Sequence, residues 1–233
     1  MFSSITLLVI RIGKPRTSFS SNITFNYYPV SPMILKRLFD IIASLFGLIF
    51  LTLLFIVISI LIKRMMPGPI FFKQARVGKD AVLFKMIKFR TMMINHGGGS
   101  ISVKGENRIT PLGAVLRKYK LDELPELWNV LKGDMSFVGP RPDVPGYADM
   151  LKGDDRLVLT VKPGITGAAS LIYSNEEALL ALQDEPIKFN DEVLYPEKVR
   201  INIIYIRHWS FWLDLKIIIY TLLRKKLKYT WLN

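Results

Sequence analysis

The chain has 233 residues, half of them hydrophobic, a mean hydropathy of +0.28, a formal net charge of +13 and a pI near 9.9. That length suits one domain plus an appendage, and so basic a balance points to an anionic partner surface, phospholipid or nucleic acid. The absence of cysteine excludes disulfides, thiolate nucleophiles and cysteine-based metal sites.

Residues 1–32 are rich in Ser, Thr, Asn and Pro without clear periodicity, and read as a disordered extension or a misplaced start ahead of Met33. Phe2 to Ile10 is apolar only briefly and has no basic region before it, so a secretory signal is not expected. From Ile41 to Ile62 no charge occurs over about 22 residues, slightly more than the roughly 20 that a crossing helix needs. Basic clusters bracket both ends, Lys36-Arg37 and Lys63-Arg64, which fits a helix over 33–66 that enters a bilayer and turns back better than one that crosses it. A spanning helix is the alternative. Asp40 is expected to pair with Lys36 or Arg37 and stay near the headgroups. The apolar segment favours anionic lipid as the partner surface, and no nucleic acid is expected.

Met66-Pro67-Gly68-Pro69 breaks the helix, because proline removes a donor and restricts its predecessor. A cytoplasmic domain over 67–233 is expected to begin there. Ile70 to Phe72 and Ala81 to Phe89 read as two strands of a hairpin turning around Gly78-Lys79-Asp80. Asn95 to Ser100 reads as loop, and its three glycines lack the Gly-Lys-Ser/Thr that a phosphate cradle requires. Leu112, Val115, Leu116 and Tyr119 recur at helical spacing, and Leu121, Leu124, Trp128 and Leu131 repeat the pattern in the next helix.

Pro125 is tolerated only near a helix start, which puts Asp122 and Glu123 in or just before a first turn, where the dipole favours anions. Taken alone, such a pair is an ordinary helix start. Its company shifts the reading: Arg117, Lys118 and Lys120 lie just upstream, and Arg141 sits in a Gly-Pro-Arg-Pro loop stiffened by two prolines. Paired carboxylates beside cations are equipment for phosphorylated substrates, with one carboxylate free to act as nucleophile. Val161 to Gly167 is a second stiff turn carrying Lys162, either structural or part of the site. Glu176 to Leu182 reads as a short helix whose acidic pair is a helix start or a site. Val199 to Leu227 is helical in period and mixes Trp209, Phe211, Trp212 and Tyr220 with Arg224, Lys225 and Lys226. It reads as an in-plane membrane helix or, with equal weight, as a helix packed on the core.

In order along the chain, Lys36-Arg37-Leu38-Phe39-Asp40, Phe72 to Gly78, Lys88-Phe89-Arg90-Thr91-Met92, Leu121-Asp122-Glu123-Leu124-Pro125, Lys132 to Pro142 and Lys162 to Gly167 resemble the bacterial sugar transferase family, the monotopic polyprenyl-phosphate phosphoglycosyl transferases. The similarity runs from about Lys36 to Leu222. It implies transfer of a sugar 1-phosphate from a UDP-sugar to undecaprenyl phosphate at the bacterial cytoplasmic membrane, the first membrane step of glycan assembly. On that resemblance Asp122 attacks the phosphorus next to the sugar, forms a covalent phosphosugar intermediate and expels UMP. Glu123 positions Asp122 or moves a proton. Mg2+ is the implied cofactor, held through Asp122, and Arg117, Arg141, Arg90, Lys88 and Lys162 are the implied substrate-binding residues. The implied fold is α/β, predominantly helical, with a re-entrant helix, a small β-hairpin and interfacial helices.

Two departures stand out. Family members often carry a Ser-Pro pair midway along the membrane helix, whereas Thr52-Leu53 stands near that place here. Many also continue the Gly-Ile-Thr-Gly turn with Trp-Ala-Gln, where this chain has Ala168-Ala169-Ser170. The alternative function from another class is a non-catalytic membrane adaptor.

Overall fold

In the computed structural model, which describes residues 30–93, 109–225 and 227, the apolar run folds as two helices. The readings made for the extension before Val30, for the loop around Asn95 to Ser100 and for Lys226 lie outside those residues. Helix α1 spans Val30–Phe50 and α2 spans Thr52–Met65, bent by 60° at Leu51. Among the described residues no single helix is long and apolar enough to cross a membrane, and this bent pair meets the length and composition only together.

The bend forms without proline. Leu51 N–H still donates to Gly47 O at 2.9 Å and Phe55 N–H to Leu51 O at 2.9 Å, but between them no bond joins Thr52, Leu53 or Leu54 N–H back to α1. Leu51 sits at φ −90° and ψ 6°, and the Thr52 hydroxyl donates to Leu48 O at 2.8 Å, supplying one of the carbonyls stranded at the end of α1. Helix α2 ends where Met66 turns extended ahead of Pro67. There the buried Arg90 guanidinium donates to the carbonyls of Met66 and Pro67.

The expected hairpin is present: β1, Phe71–Val77, pairs antiparallel with β2, Leu83–Phe89, in the register Phe71↔Phe89 to Val77↔Leu83. Its turn runs through Asp80 and Ala81 in the left-handed region, closed by Gly78 N–H to Val82 O at 2.9 Å. Alternation puts Phe84, Met86 and Lys88 on one face of β2. Phe84 and Met86 pack with Val130 and Met135, which aligns Lys88 with the helix that carries Val130. That helix is α4, Glu126–Lys132, reached through α3, Pro111–Lys118, and a 3-10 turn at Leu121–Glu123. Asn129 of α4 completes the free edge of β2, its Oδ1 accepting from Ile87 N–H at 3.0 Å and its Nδ2 donating to Lys85 O at 2.9 Å.

The sequence pattern does not anticipate the second sheet, a parallel pair of β3, Ser136–Val138, and β4, Gly164–Thr166. The remainder is helical: α5, Ala168–Ile172; α6, Glu176–Leu180; α7, Pro186–Phe189; α8, Tyr195–Arg207; and α9, Phe211–Leu222.

Three expectations are corrected. Asp40 does not lie near headgroups; it is 2% exposed and accepts from Ser136 Oγ at 3.2 Å and Phe137 N–H at 3.1 Å. Its neighbours are equally engaged: Lys36 pairs with Asp214 and donates to Val138 O, while Arg37 donates to Val130 O and Leu131 O at the end of α4. The basic flank therefore fastens α1 to the domain. Second, Val115, Tyr119 and Trp128 are exposed rather than core, because α3 ends at Lys118 and the 3-10 turn resets the helical phase before α4. Leu116, Leu121 and Leu124 instead pack with Ile58, Ile62 and Phe89. Third, the C-terminal helical stretch is two helices of different character. Helix α8 buries Val199, Ile201, Ile203, Tyr205 and Ile206, whereas α9 exposes Trp212, Ile219 and Leu222.

Candidate active site

The 3-10 turn between α3 and α4 presents Asp122 and Glu123 in very different surroundings. Glu123 Oε1 accepts from Arg141 Nη2 at 2.7 Å and from Lys88 Nζ at 2.9 Å. Burial alone would raise its pKa, but Arg141 and Lys88 outweigh that and hold its carboxyl well below the usual range. In return, Glu123 raises the pKa of Arg141 further. Asp122 is 8% exposed, and among the described residues its carboxylate forms no hydrogen bond or salt bridge. Burial, then the charge of Glu123, raise its pKa against the pull of Lys88, Arg117 and Lys120.

A third carboxylate completes the cluster. Glu126 is 2% exposed and lies 3.1 Å from Lys88 Nζ, with burial raising its pKa above the usual value. Sequence reasoning passed it over, although it stands four residues after Asp122 and three after Glu123, on the same helical face. Lys88 thus sits between two glutamates, delivered there by the alternation of β2.

Arg141 is positioned by a braced loop. Gly139 N–H donates to Thr166 O at 2.9 Å, Gly164 N–H to Pro140 O at 2.8 Å, and Val77 N–H to Asp143 O at 2.9 Å. Arg76 Nη1 donates to Pro142 O at 3.2 Å. A Cβ on Gly164 would lie 2.1 Å from Gly139 N, so the turn from Lys162 to Gly167 supports the Gly-Pro-Arg-Pro loop by close backbone approach that only glycine permits. Arg76 and Asp143 are braces that the sequence motifs did not single out.

Of the residues assigned by resemblance, Asp122, Glu123, Lys88 and Arg141 come together, with Arg117 close enough to act on Asp122 and 4.0 Å from Glu177 Oε1. Arg90 and Lys162 lie elsewhere. Arg90 spends its donors on the end of α2, and Lys162 is beside Arg37 and Gly133 at the far end of α4, where burial and Arg37 lower its pKa. Among the described residues no group of three or more His, Asp or Glu is arranged to hold a metal ion. The donor set still suits Mg2+, which takes one or two carboxylates and completes its shell with waters and substrate phosphates: Asp122 offers hard oxygens that no protein group occupies.

This chemistry can be set beside known proteins. Residues 31–226 match the model of the bacterial sugar transferase family. The chain is 38% identical over 190 residues to the uncharacterized sugar transferase EpsL of Bacillus subtilis, covering 81% of this chain and 86% of that one. It is 37% identical over 199 residues to the UDP-glucose:undecaprenyl-phosphate glucose-1-phosphate transferase of Klebsiella pneumoniae, 82% of this chain and 40% of that protein. Identity is 34% over 193 residues to the UDP-N-acetylgalactosamine-undecaprenyl-phosphate N-acetylgalactosaminephosphotransferase of Aeromonas hydrophila, 81% of this chain and 43% of the other. The chain therefore spans less than half the length of both of these relatives with a stated reaction.

Proposed function

Because the chain belongs to the bacterial sugar transferase family, we propose that it moves a sugar 1-phosphate from a UDP-sugar to undecaprenyl phosphate and so initiates assembly of a surface glycan. The observation that carries this reading is the contrast within the Asp-Glu pair, one carboxylate unpartnered and the other held by two cations. Asp122 is the nucleophile. Its carboxylate oxygen bonds the phosphorus that bears the sugar, the bond from that phosphorus to the UMP oxygen breaks, and UMP departs. A phosphate oxygen of undecaprenyl phosphate then attacks the same phosphorus, the aspartyl bond breaks and the carboxylate is restored. Dividing the transfer keeps the water-soluble donor and the lipid acceptor from having to occupy the site together.

The cations around the pair answer an electrostatic problem. A carboxylate approaching a diphosphate is repelled, and Lys88, Arg141 and Arg117 offset that repulsion. Glu123, ionised and fixed, holds Arg141 and Lys88 in place and pushes up the pKa of Asp122, which raises the intrinsic nucleophilicity of the ionised form. Mg2+ bound at Asp122 would add charge neutralisation at the phosphate oxygens. The bent α1–α2 pair serves as a re-entrant membrane helix, with the catalytic domain on the cytoplasmic face.

The test is UMP release by detergent-solubilised protein supplied with Mg2+, undecaprenyl phosphate and a panel of UDP-sugars. Wild type is expected to release UMP with at least one donor and Asp122→Asn with none. Equal release by the variant would remove Asp122 from the nucleophile role.

A further inference from the structure

Behind the loop that carries Arg141 lies a cavity of about 40 Å3, lined by Asn202, Ala169, Val158, Leu159 and Val199 and reached past Arg141. On the same measure one water takes about 10–15 Å3, so the space admits a group of a few heavy atoms. Its charged neighbours are already matched. Lys198 Nζ pairs with Glu176 Oε1 at 2.9 Å, Tyr195 OH donates to Asp143 Oδ2 at 3.2 Å, and Arg141 pairs with Glu123. Asn202 is not matched. It is 8% exposed, its Oδ1 is buried without a partner, and among the described residues its Nδ2 donates no hydrogen bond. A buried amide left open on both its acceptor and its donor is costly unless something fills the gap.

We infer that this cavity is a specificity subsite for a neutral amide edge of the donor nucleotide, an N–H beside a C=O, read by the side chain of Asn202. The inference rests on the UDP-sugar reading above. Paired neighbours disfavour a phosphate here, and the open amide offers the two complementary bonds: Oδ1 accepts from the N–H and Nδ2 donates to the C=O. Val158, Leu159 and Val199 supply the apolar wall on which a methyl or ring edge rests. A UDP-sugar carries this chemistry in two places, the uracil ring and, in an N-acetylhexosamine, the 2-acetamido group.

Equilibrium binding on an Asp122→Asn background separates these sources without turnover. UMP, UDP-glucose and UDP-N-acetylglucosamine are titrated against the full chain with and without Asn202→Leu. Asn202→Leu is expected to raise Kd about 10-fold or more for the ligands whose amide edge it reads. Weakening of all three, UMP included, assigns the subsite to uracil, and weakening of UDP-N-acetylglucosamine alone assigns it to the acetamido group. Unchanged Kd values, with or without a lower Tm, overturn the inference and leave a cavity that holds water only. Should Asn202→Leu fail to fold, Asn202→Asp keeps the volume and an acceptor but loses the donor, and the same ligands are expected to weaken. Binding by the parent without UMP release from wild type would remove the transferase reading and leave the subsite standing; no binding of any ligand by the parent would overturn the subsite.

Discussion

Two adjacent carboxylates under opposite influences make opposite predictions. Asp122 is buried without a partner, so its ionised form costs stability, and its folded-state pKa lies above the ordinary value of 3.8. Asp122→Asn is expected to stabilise the protein by about 1 kcal/mol near neutral pH, a rise of about 2–4 °C in Tm for a chain of this size. The sign with pH follows from linkage. The native state keeps its Asp122 proton longer than the unfolded state does, so the cost is absent at low pH, appears as pH rises through 3.8 and is complete above the raised pKa. Glu123 is the reverse case, its pKa held below the ordinary 4.5 by Arg141 and Lys88. Its stabilisation is fully present above 4.5 and lost as pH falls through the lowered value. Glu123→Gln is therefore expected to cost about 1–2 kcal/mol at neutral pH, a figure moderated by the 41% exposure of the Arg141 side chain. That cost should shrink toward zero in acid. Thermal melts of the two variants across pH check both signs.

Between the helices, the bend at Leu51 is made by a lapse in the hydrogen-bond ladder, and the unused N–H groups define what it tolerates. Thr52 is the first residue of α2 and its N–H bonds no carbonyl of α1, so Thr52→Pro is expected to leave Tm within about 1 kcal/mol equivalent of wild type. Ser59→Pro, inside α2, should cost about 3 kcal/mol. Melts of the two proline variants decide whether the lapse is real. The apolar run, the hairpin with its glycine turn and the helix start at Pro125 were legible because each has a local signal. The direction of Lys36 and Arg37 was not, since charge flanking an apolar helix looks the same whether it meets headgroups or caps another helix. The β3–β4 pair escaped for a related reason: its strands are three residues each and are set by the contact of Gly139 with Gly164, a meeting distant in sequence. The Asp-Glu pair and the Gly-Pro-Arg-Pro loop were visible as motifs, but which carboxylate the cations would hold depended on the face of β2 that carries Lys88. Resemblance grouped Arg90 and Lys162 with them because motif order records neighbourhood along the chain and not in space.

Across the folded unit, exposed apolar side chains concentrate on the bent pair and on α9. Phe46 is 67% exposed, Phe50 and Leu53 are each 73% exposed, and Trp212 and Leu222 lie open on α9. Surface of this kind marks an interaction site, and a net charge of +13 suits anionic lipid. The two contributions respond differently to salt. At about 1 M ionic strength the Debye length falls to roughly 3 Å, so attachment by charge alone is lost, while burial of apolar surface is not. Because Lys36 and Arg37 are consumed inside the protein, apolar burial should dominate. The full chain is expected to stay with the membrane fraction through a high-salt wash. Exchanging Phe46, Phe50 and Leu53 together for Ser removes about 1.5–3 kcal/mol of transfer free energy at each site and should move the protein toward the supernatant. Sedimentation of membranes before and after the wash measures both effects. Release of wild type by salt alone would mean that the bent pair lies on the bilayer surface or away from it, and would overturn its assignment as a re-entrant helix.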